Sequence, residues 1–170
     1  KGETIGYYTG ILYLAPSDIS GYQTCPMAKL AGCENACLYT AGRGAFTSIQ
    51  NARINKTKYF FENRNEFMQN IVKDIEKGIA KALKLNQELL IRLNGTSDIK
   101  WENVSFTDID GKTYNNIMEK FPNVQFYDYT KVPKYMDMYL SGYNNFTKQP
   151  FAPNYHLTFS RSETNKTDAL

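Results

Sequence analysis

The chain has 170 residues, of which 42% are hydrophobic, 14% aromatic and 22% charged, and its formal net charge is +3. This composition excludes a disordered chain and predicts a single globular domain over residues 1–170, with enough apolar mass for a core. The isoelectric point near 8.6 is too low, and the basic residues are too scattered, for a dedicated nucleic-acid-binding domain.

The first half of the chain predicts one strand, a polar loop and two helices. The strand covers residues 5–15, which are rich in β-branched and aromatic types and end at the turn signal Pro16-Ser17-Asp18. Helical spacing runs from Gly44 to about Phe61. A second helix begins near Asn63, and its apolar residues recur at intervals of four. These residues are Phe67, Ile71, Ile75, Ile79 and Leu83, with Met68 and Val72 beside them.

The second half alternates between strands and helices. Strands are predicted at 89–93, 124–130 and 155–160, and helices at 114–120 and around 135–140. Such alternation implies parallel β/α units joined by right-handed crossovers. The predicted fold class is therefore α/β, with a partial or open parallel β/α barrel.

Polar segments follow each predicted strand. The loop with the cysteines follows the first strand, Asn94-Gly95-Thr96-Ser97-Asp98 the second, Thr130-Lys131 the third and Ser160-Arg161-Ser162 the fourth. Because the carboxyl ends of parallel strands form one edge of a sheet, we expect these segments to lie along that edge. A new helix is expected after the fourth strand, with Ser162 or Thr164 as its cap.

Three cysteines, Cys25, Cys33 and Cys37, lie within thirteen residues and are the only cysteines of the chain. A thiolate trio on one loop can hold a metal ion or an iron–sulfur cluster, because both require sulfur atoms that converge on one point. Three ligands also leave one coordination position open, as a catalytic metal site requires. The spacing of seven and then three residues fits neither a zinc ribbon nor a zinc finger. His156, the only histidine, is the one imidazole that can add a fourth ligand.

The odd number of cysteines argues against the paired disulfides of a small secreted domain, so we expect a reducing cytoplasm. No apolar run approaches the roughly 18 residues of a membrane span, and no signal-type leader is present, so neither a membrane partner nor export is expected. The chain begins without methionine and ends at Asp168-Ala169-Leu170, which resembles the opening of a helix. We expect a fragment that lacks further C-terminal elements.

Three segments resemble bacteriophage proteins that are named by gene-product number. They are the cysteine segment with Thr24-Cys25-Pro26 and Gly32-Cys33-Glu34-Asn35-Ala36-Cys37-Leu38-Tyr39, the segment Leu93-Asn94-Gly95-Thr96-Ser97-Asp98, and the segment Phe126-Tyr127-Asp128-Tyr129-Thr130-Lys131-Val132-Pro133. Those phage proteins in turn resemble radical S-adenosylmethionine (SAM) enzymes, in which a three-cysteine loop after the first barrel strand holds a [4Fe–4S] cluster. The order of the segments agrees with that family, whereas the cysteine spacing departs from its usual three and then two residues.

The resemblance implies that Cys25, Cys33 and Cys37 ligate three irons of the cluster and that the fourth iron binds the amino and carboxylate groups of SAM. The residues implied to contact this cofactor follow two successive strands: Asn94, Gly95, Ser97, Asp98, Thr130 and Lys131. The implied function is an iron–sulfur, radical SAM-like phage enzyme in the cytoplasm of an infected host. The sequence does not identify its substrate, for which a nucleotide or nucleic acid is one candidate.

Two other interpretations stay open. Zinc in place of iron would indicate a nucleic-acid base-modifying enzyme of the base-exchange type, with Asp98 or Asp128 as nucleophile. Cysteines that only staple a loop would indicate a non-catalytic phage accessory protein, and the segment 94–98 would then be an ordinary turn with Ser97 or Asp98 as a helix cap. Arg92, inside an apolar strand, needs a carboxylate or a ligand as partner, and Asp128 on the next strand is a candidate.

Overall fold

The computed structural model describes residues 6–26, 28 and 42–160. Its helices and strands are, in chain order, β1 (Tyr7–Ile11), α1 (Thr47–Glu62), α2 (Arg64–Lys84), β2 (Glu88–Arg92), β3 (Phe106–Thr107), β4 (Thr113–Tyr114), α3 (Ile117–Lys120), β5 (Gln125–Thr130), α4 (Pro133–Leu140), β6 (Tyr143–Asn144), β7 (Gln149–Pro150) and β8 (Tyr155–Phe159). Short 3₁₀ helices cover Gly42–Ala45 and Trp101–Asn103. No helix in these ranges is long and apolar enough to cross a membrane.

The four longer strands form one parallel sheet in the order β1-β2-β5-β8. These are the four strands that the sequence predicts, so the mixed α/β class and the parallel pairing are confirmed. The order in the sheet follows the order in the chain, and each connection therefore leads to the adjacent strand. The remaining short strands pair as two antiparallel hairpins, β3 with β4 and β6 with β7.

The two faces of the parallel sheet differ in burial. Leu89, Ile91, Phe126 and Leu157 point to one face and pack in the main hydrophobic core with residues of α2. Side chains alternate along a strand, so their neighbours point the other way. This second face, called the open face below, contains no fully buried side chain. Its residues are Tyr7, Thr9, Ile11, Glu88, Leu90, Arg92, Gln125, Tyr127, Tyr129, His156 and Thr158.

Helix α2 buries Phe67, Met68, Val72 and Ile75 in the hydrophobic core that also holds the strand residues, as its apolar spacing predicts. Leu83 differs from the prediction, since its side chain is 73% exposed. Residues four apart in a helix advance by roughly 40° around its axis, so a long series at this interval turns away from the core.

The predicted helix at 114–120 is shorter in the structure. Tyr114 belongs to β4, and α3 begins only at Ile117 because Asn116 caps it. The Asn116 side-chain oxygen accepts a hydrogen bond from the Glu119 backbone N–H at 2.9 Å. The cap predicted at Ser162 or Thr164 lies outside the described residues.

Candidate functional site

The segment that leads to the first cysteine is bonded to the loop after β2. The Thr24 side chain is buried, and its hydroxyl donates to the Ala15 carbonyl at 2.7 Å. The Thr24 carbonyl accepts a hydrogen bond from the Asp98 backbone N–H at 2.9 Å. Cys25 Sγ lies 3.8 Å from the Thr96 carbonyl oxygen. Thr24 and Cys25 are therefore joined to the second-strand loop at the carboxyl edge of the sheet.

Gly95 allows the second-strand loop to approach the continuation of β1. Its backbone N–H donates to the Leu12 carbonyl at 3.0 Å. A Cβ atom at this position would lie 2.6 Å from Tyr13 Cδ1 and 2.7 Å from the Leu12 oxygen, which is closer than van der Waals contact allows. The absence of a side chain at Gly95 thus lets the loop backbone lie against the residues that follow β1.

Asn94 holds the same loop in shape. Its side-chain oxygen accepts hydrogen bonds from the Ser97 hydroxyl, the Ile99 N–H and the Trp101 indole N–H, at 2.9 to 3.0 Å. Its amide nitrogen donates to the Ile99 carbonyl at 2.9 Å. Trp101 is buried and packs on Phe60, with 5.1 Å between ring centroids. Asn94 and Trp101 therefore hold the loop in place. The Ser97 hydroxyl belongs to the same hydrogen-bond network, since it donates to the Asn94 side-chain oxygen.

Asp98 presents the charged group of this loop. Its Oδ1 accepts a hydrogen bond from Lys100 Nζ at 2.9 Å, and both side chains are about a quarter exposed. Lys100 Nζ also lies 3.7 Å from the centroid of the Tyr135 ring. Of the loop residues predicted to contact a cofactor, Asp98 is the one whose carboxylate reaches solvent and can receive a cation.

Thr130 and Lys131 end the neighbouring strand β5. Thr130 is buried, and its hydroxyl accepts a hydrogen bond from the Val132 N–H at 3.2 Å, which closes the turn into α4. The Thr130 carbonyl accepts from the Ser160 N–H at 2.7 Å, so the ends of β5 and β8 are joined. Lys131 follows on the surface with a half-buried side chain.

The predicted pairing of Arg92 with Asp128 is confirmed, with 3.6 Å between Nε and Oδ1. Asp128 is 3% exposed, and its Oδ1 accepts a hydrogen bond from the Tyr129 N–H at 3.1 Å. Burial raises the pKa of Asp128 to about 7, and the positive charge of Arg92 opposes that rise. A buried carboxyl that titrates near neutral pH thus lies next to the second-strand loop.

Glu102 and Tyr135 form a buried pair that the sequence did not indicate. The Tyr135 hydroxyl donates to Glu102 Oε1 at 2.6 Å, while Oε2 is buried and receives no hydrogen bond from the described residues. Burial raises the pKa of both groups. The one sequence signal for Glu102 is its position directly after the buried Trp101, because the short 3₁₀ helix carries both side chains inward.

Comparison with known protein families gives one result. A family model described as Gene product 88 matches residues 1–170. The chain belongs to the Gene product 88 family. Neither the curated proteins nor the solved structures gave a match. The family agrees with the predicted resemblance to phage proteins named by gene-product number.

Two of the three predicted metal ligands of this Gene product 88 protein, Cys33 and Cys37, lie outside the described residues. Within those residues, no three or more His, Cys, Asp or Glu side chains are grouped to hold a metal ion. His156 is exposed on β8, three strands away from β1 in the sheet, and is in register with Tyr127. The three-cysteine site therefore stays a prediction.

Proposed function

We propose that this Gene product 88 protein is an iron–sulfur, radical SAM-like phage enzyme that acts in the cytoplasm of an infected host. In this proposal Cys25, Cys33 and Cys37 hold a [4Fe–4S] cluster, and the parallel sheet is part of an open or partial β/α barrel. One observation carries the proposal, namely the direct contact between the cysteine segment and the second-strand loop at Cys25–Thr96 and Thr24–Asp98. A cofactor that touches both a cluster and that loop needs the two segments side by side.

The surroundings of Cys25 fit a ligand better than an inert thiol. Structural cysteines without ligands are among the most buried residues of a protein, whereas Cys25 is only half-buried and lies on a loop. Its sulfur is 3.7 Å from the Thr24 hydroxyl, and it faces the second-strand loop and not the apolar core. Both features agree with a sulfur that coordinates iron at the carboxyl edge.

The second-strand loop offers a binding group and a rigid support for SAM. We assign the SAM amino group, whose N–H groups can donate hydrogen bonds while its lone pair binds iron, to the Asp98 carboxylate, whose second oxygen receives no hydrogen bond from the described residues. Asn94, Gly95 and Ser97 would hold that carboxylate in place through the loop contacts described above. When bound, the cluster supplies the electron for reductive cleavage of SAM to a carbon radical.

The end of β5 would complete the cofactor site. Lys131 brings a positive charge that suits a carboxylate, and the Thr130 turn fixes where Lys131 leaves the strand. The bond from the Ser160 N–H to the Thr130 carbonyl stiffens this edge. Rigid positioning of this kind lowers the entropy cost of bringing reactants together.

Metal analysis tests the proposal. The wild type and Cys25→Ser are purified without oxygen and analysed for iron, sulfide and zinc, with circular dichroism as the control for folding. The wild type should contain about four irons and four sulfides per chain, and Cys25→Ser should lose most of both because a hydroxyl is a poor iron ligand. The serine can keep the contacts of Cys25 to Thr24 and Thr96, so the fold should be unchanged.

Two results would contradict the iron–sulfur proposal. One zinc per chain without iron would favour the zinc-containing base-modifying enzyme. A chain that holds no metal under anaerobic conditions would favour the accessory protein whose cysteines have a structural role.

A further inference from the structure

The Arg92 guanidinium group lies on the open face, and its buried Nε has no hydrogen-bond acceptor among the described residues. Its Nε faces Asp128 at 3.6 Å, which is too long for a hydrogen bond, and no described residue accepts one from the group. Asp128 is a weak counter-charge, since burial raises its pKa to about 7. A buried N–H without an acceptor is costly, and a ligand bound at Arg92 can supply one. Arg92 thus points to an anionic ligand.

Two tyrosine rings, those of Tyr129 and Tyr127, lie beside Arg92 on the open face. The Arg92 guanidinium carbon lies 4.8 Å from the centroid of Tyr129, and the rings of Tyr129 and Tyr127 meet edge to face at 6.2 Å. Tyr129 is 45% exposed. Burial raises the pKa of Tyr127, and Arg92, Tyr129 and Tyr13 all lie close enough to influence it. Exposed ring faces of this kind can stack on a flat heterocycle.

Charge is distributed unevenly along the open face. Ile91 of β2 is in register with Phe126 of β5, so the next residue, Arg92, lies beside Tyr127. On the other side of β5, His156 of β8 is in register with Tyr127. Glu88 is the acidic residue of β2 at the far end of the strand, roughly 13 Å from Arg92 at 3.3 Å per residue. The carboxyl half of the face therefore combines a cation with aromatic rings.

We infer that the open face binds a nucleotide, with its base against Tyr127 and Tyr129 and its phosphate at Arg92. A guanidinium pairs with phosphate through two parallel hydrogen bonds, and tyrosine rings stack on bases. The inference rests on the proposed function in one respect, because it takes this nucleotide to be the substrate of the proposed enzyme. An aromatic carboxylate shares the same chemistry and is distinguished in the test.

Equilibrium titration of the full chain, purified without oxygen, tests the inference. The probes are the four 5′-ribonucleoside monophosphates, the matching nucleosides, inorganic phosphate and indole-3-carboxylate, with heat or tyrosine fluorescence as the signal. At least one monophosphate should bind more tightly than its nucleoside and than phosphate. Absence of binding by all four monophosphates, or tighter binding of the carboxylate, would overturn the nucleotide assignment.

Variants identify the binding groups. Arg92→Gln should weaken binding of the monophosphate about ten- to a hundredfold while leaving nucleoside affinity unchanged, and Tyr129→Leu should weaken both. Arg92→Lys, which retains the charge, serves if the glutamine variant fails to fold and should show a smaller loss. The matched control is Arg64→Gln. Arg64 begins helix α2, and its guanidinium carbon lies 5.2 Å from the centroid of the Phe60 ring, so this substitution should not affect binding. Equal affinities for the wild type and a folded Arg92→Gln would overturn the inference.

Iron content and SAM cleavage, measured on the same preparation, separate this inference from the proposed function. SAM cleavage without nucleotide binding would overturn the inference and leave the proposed function intact. Nucleotide binding that depends on Arg92, in a chain without iron, would support the site and overturn its assignment to a radical SAM-like enzyme.

Discussion

Asp128 shows how one residue links the sequence pattern to the chemistry of the site. A charged arginine inside an apolar strand predicted a carboxylate partner, and the structure supplies it at 3.6 Å. Burial of Asp128 disfavours its charged form, and this raises the pKa of the carboxyl to about 7. At neutral pH the carboxyl is therefore divided between its two protonation states.

The raised pKa predicts a stability difference between the wild type and Asp128→Asn that depends on pH. Between about pH 4 and 7 the folded protein retains a proton at Asp128 that the unfolded chain has released. The contribution of Asp128 to the free energy of unfolding is therefore fully present below pH 4, and it is lost as the pH rises through 7. Relative to the variant, the wild type should lose at most about 1.4 kcal/mol of unfolding free energy per pH unit in this window.

Urea unfolding of both proteins at pH 4, 5, 6 and 7 measures this difference. A constant difference across the four pH values would show that the pKa of Asp128 is not raised in the folded protein.

Glu102 marks the limit of prediction for single residues. Arg92 could be paired with Asp128 because each belongs to a recognisable strand, and neighbouring strands bring their ends together. Glu102 and Tyr135 are hydrogen-bonded although they lie 33 residues apart in sequence. Glu102 also belongs to a three-residue 3₁₀ helix, which is too short to be predicted from hydrophobic periodicity. Its burial follows from how Trp101 packs on Phe60, which is a property of the folded chain.

The loop after β2 is the element on which the proposed site depends. Its shape is set by Asn94 inside the loop, and its position by the bonds from Gly95 and Asp98 to the segment between β1 and Cys25. These two segments, far apart in sequence, therefore share one hydrogen-bonded framework, and a substitution at Gly95 should also affect Cys25.

Gly95→Ala should destabilise the protein by about 1–3 kcal/mol, because the new methyl group would overlap the Leu12 carbonyl and the Tyr13 ring. Gly78→Ala is the matched control. Its methyl group would meet only the flexible end of Leu89, at 3.2 Å, and alanine is favoured over glycine in a helix by about 1 kcal/mol. Urea unfolding compares the two variants, and an equal loss in both would contradict the proposed packing of the loop.

Element prediction succeeded where a pattern was long enough to repeat. All four strands of the parallel sheet and the long helix α2 were predicted, because apolar composition and spacing persist over five or more residues. The two hairpins were missed because their strands have two residues each, which is too short for alternation to be recognised. The predicted start of α3, at residue 114, was too early, because the Asn116 side chain caps the helix and the helix begins only at Ile117.

At the scale of the whole molecule, the strand order explains why separated motifs meet. With β1, β2, β5 and β8 parallel and in chain order, every strand ends at the same edge of the sheet. The sequence predicted this edge from the alternation of strands and helices. It could not predict which face of the sheet stays open, since that depends on where α2 packs.

SAM cleavage is the measurement that tests the central claim most directly, namely that the cysteine segment and the second-strand loop form one SAM-cleaving site. Reduced, anaerobic protein is incubated with SAM, and released methionine and 5′-deoxyadenosine are quantified for the wild type, Cys25→Ser, Asp98→Asn and the control Asp110→Asn, which alters an exposed turn.

The wild type should release both products in equal amounts, and Cys25→Ser should release none. Asp98→Asn should bind SAM at least about tenfold more weakly, because it loses the hydrogen bond from the SAM amino group to a charged carboxylate, while Asp110→Asn should match the wild type. A wild-type protein with its full complement of iron that releases no methionine above the protein-free control would contradict the claim.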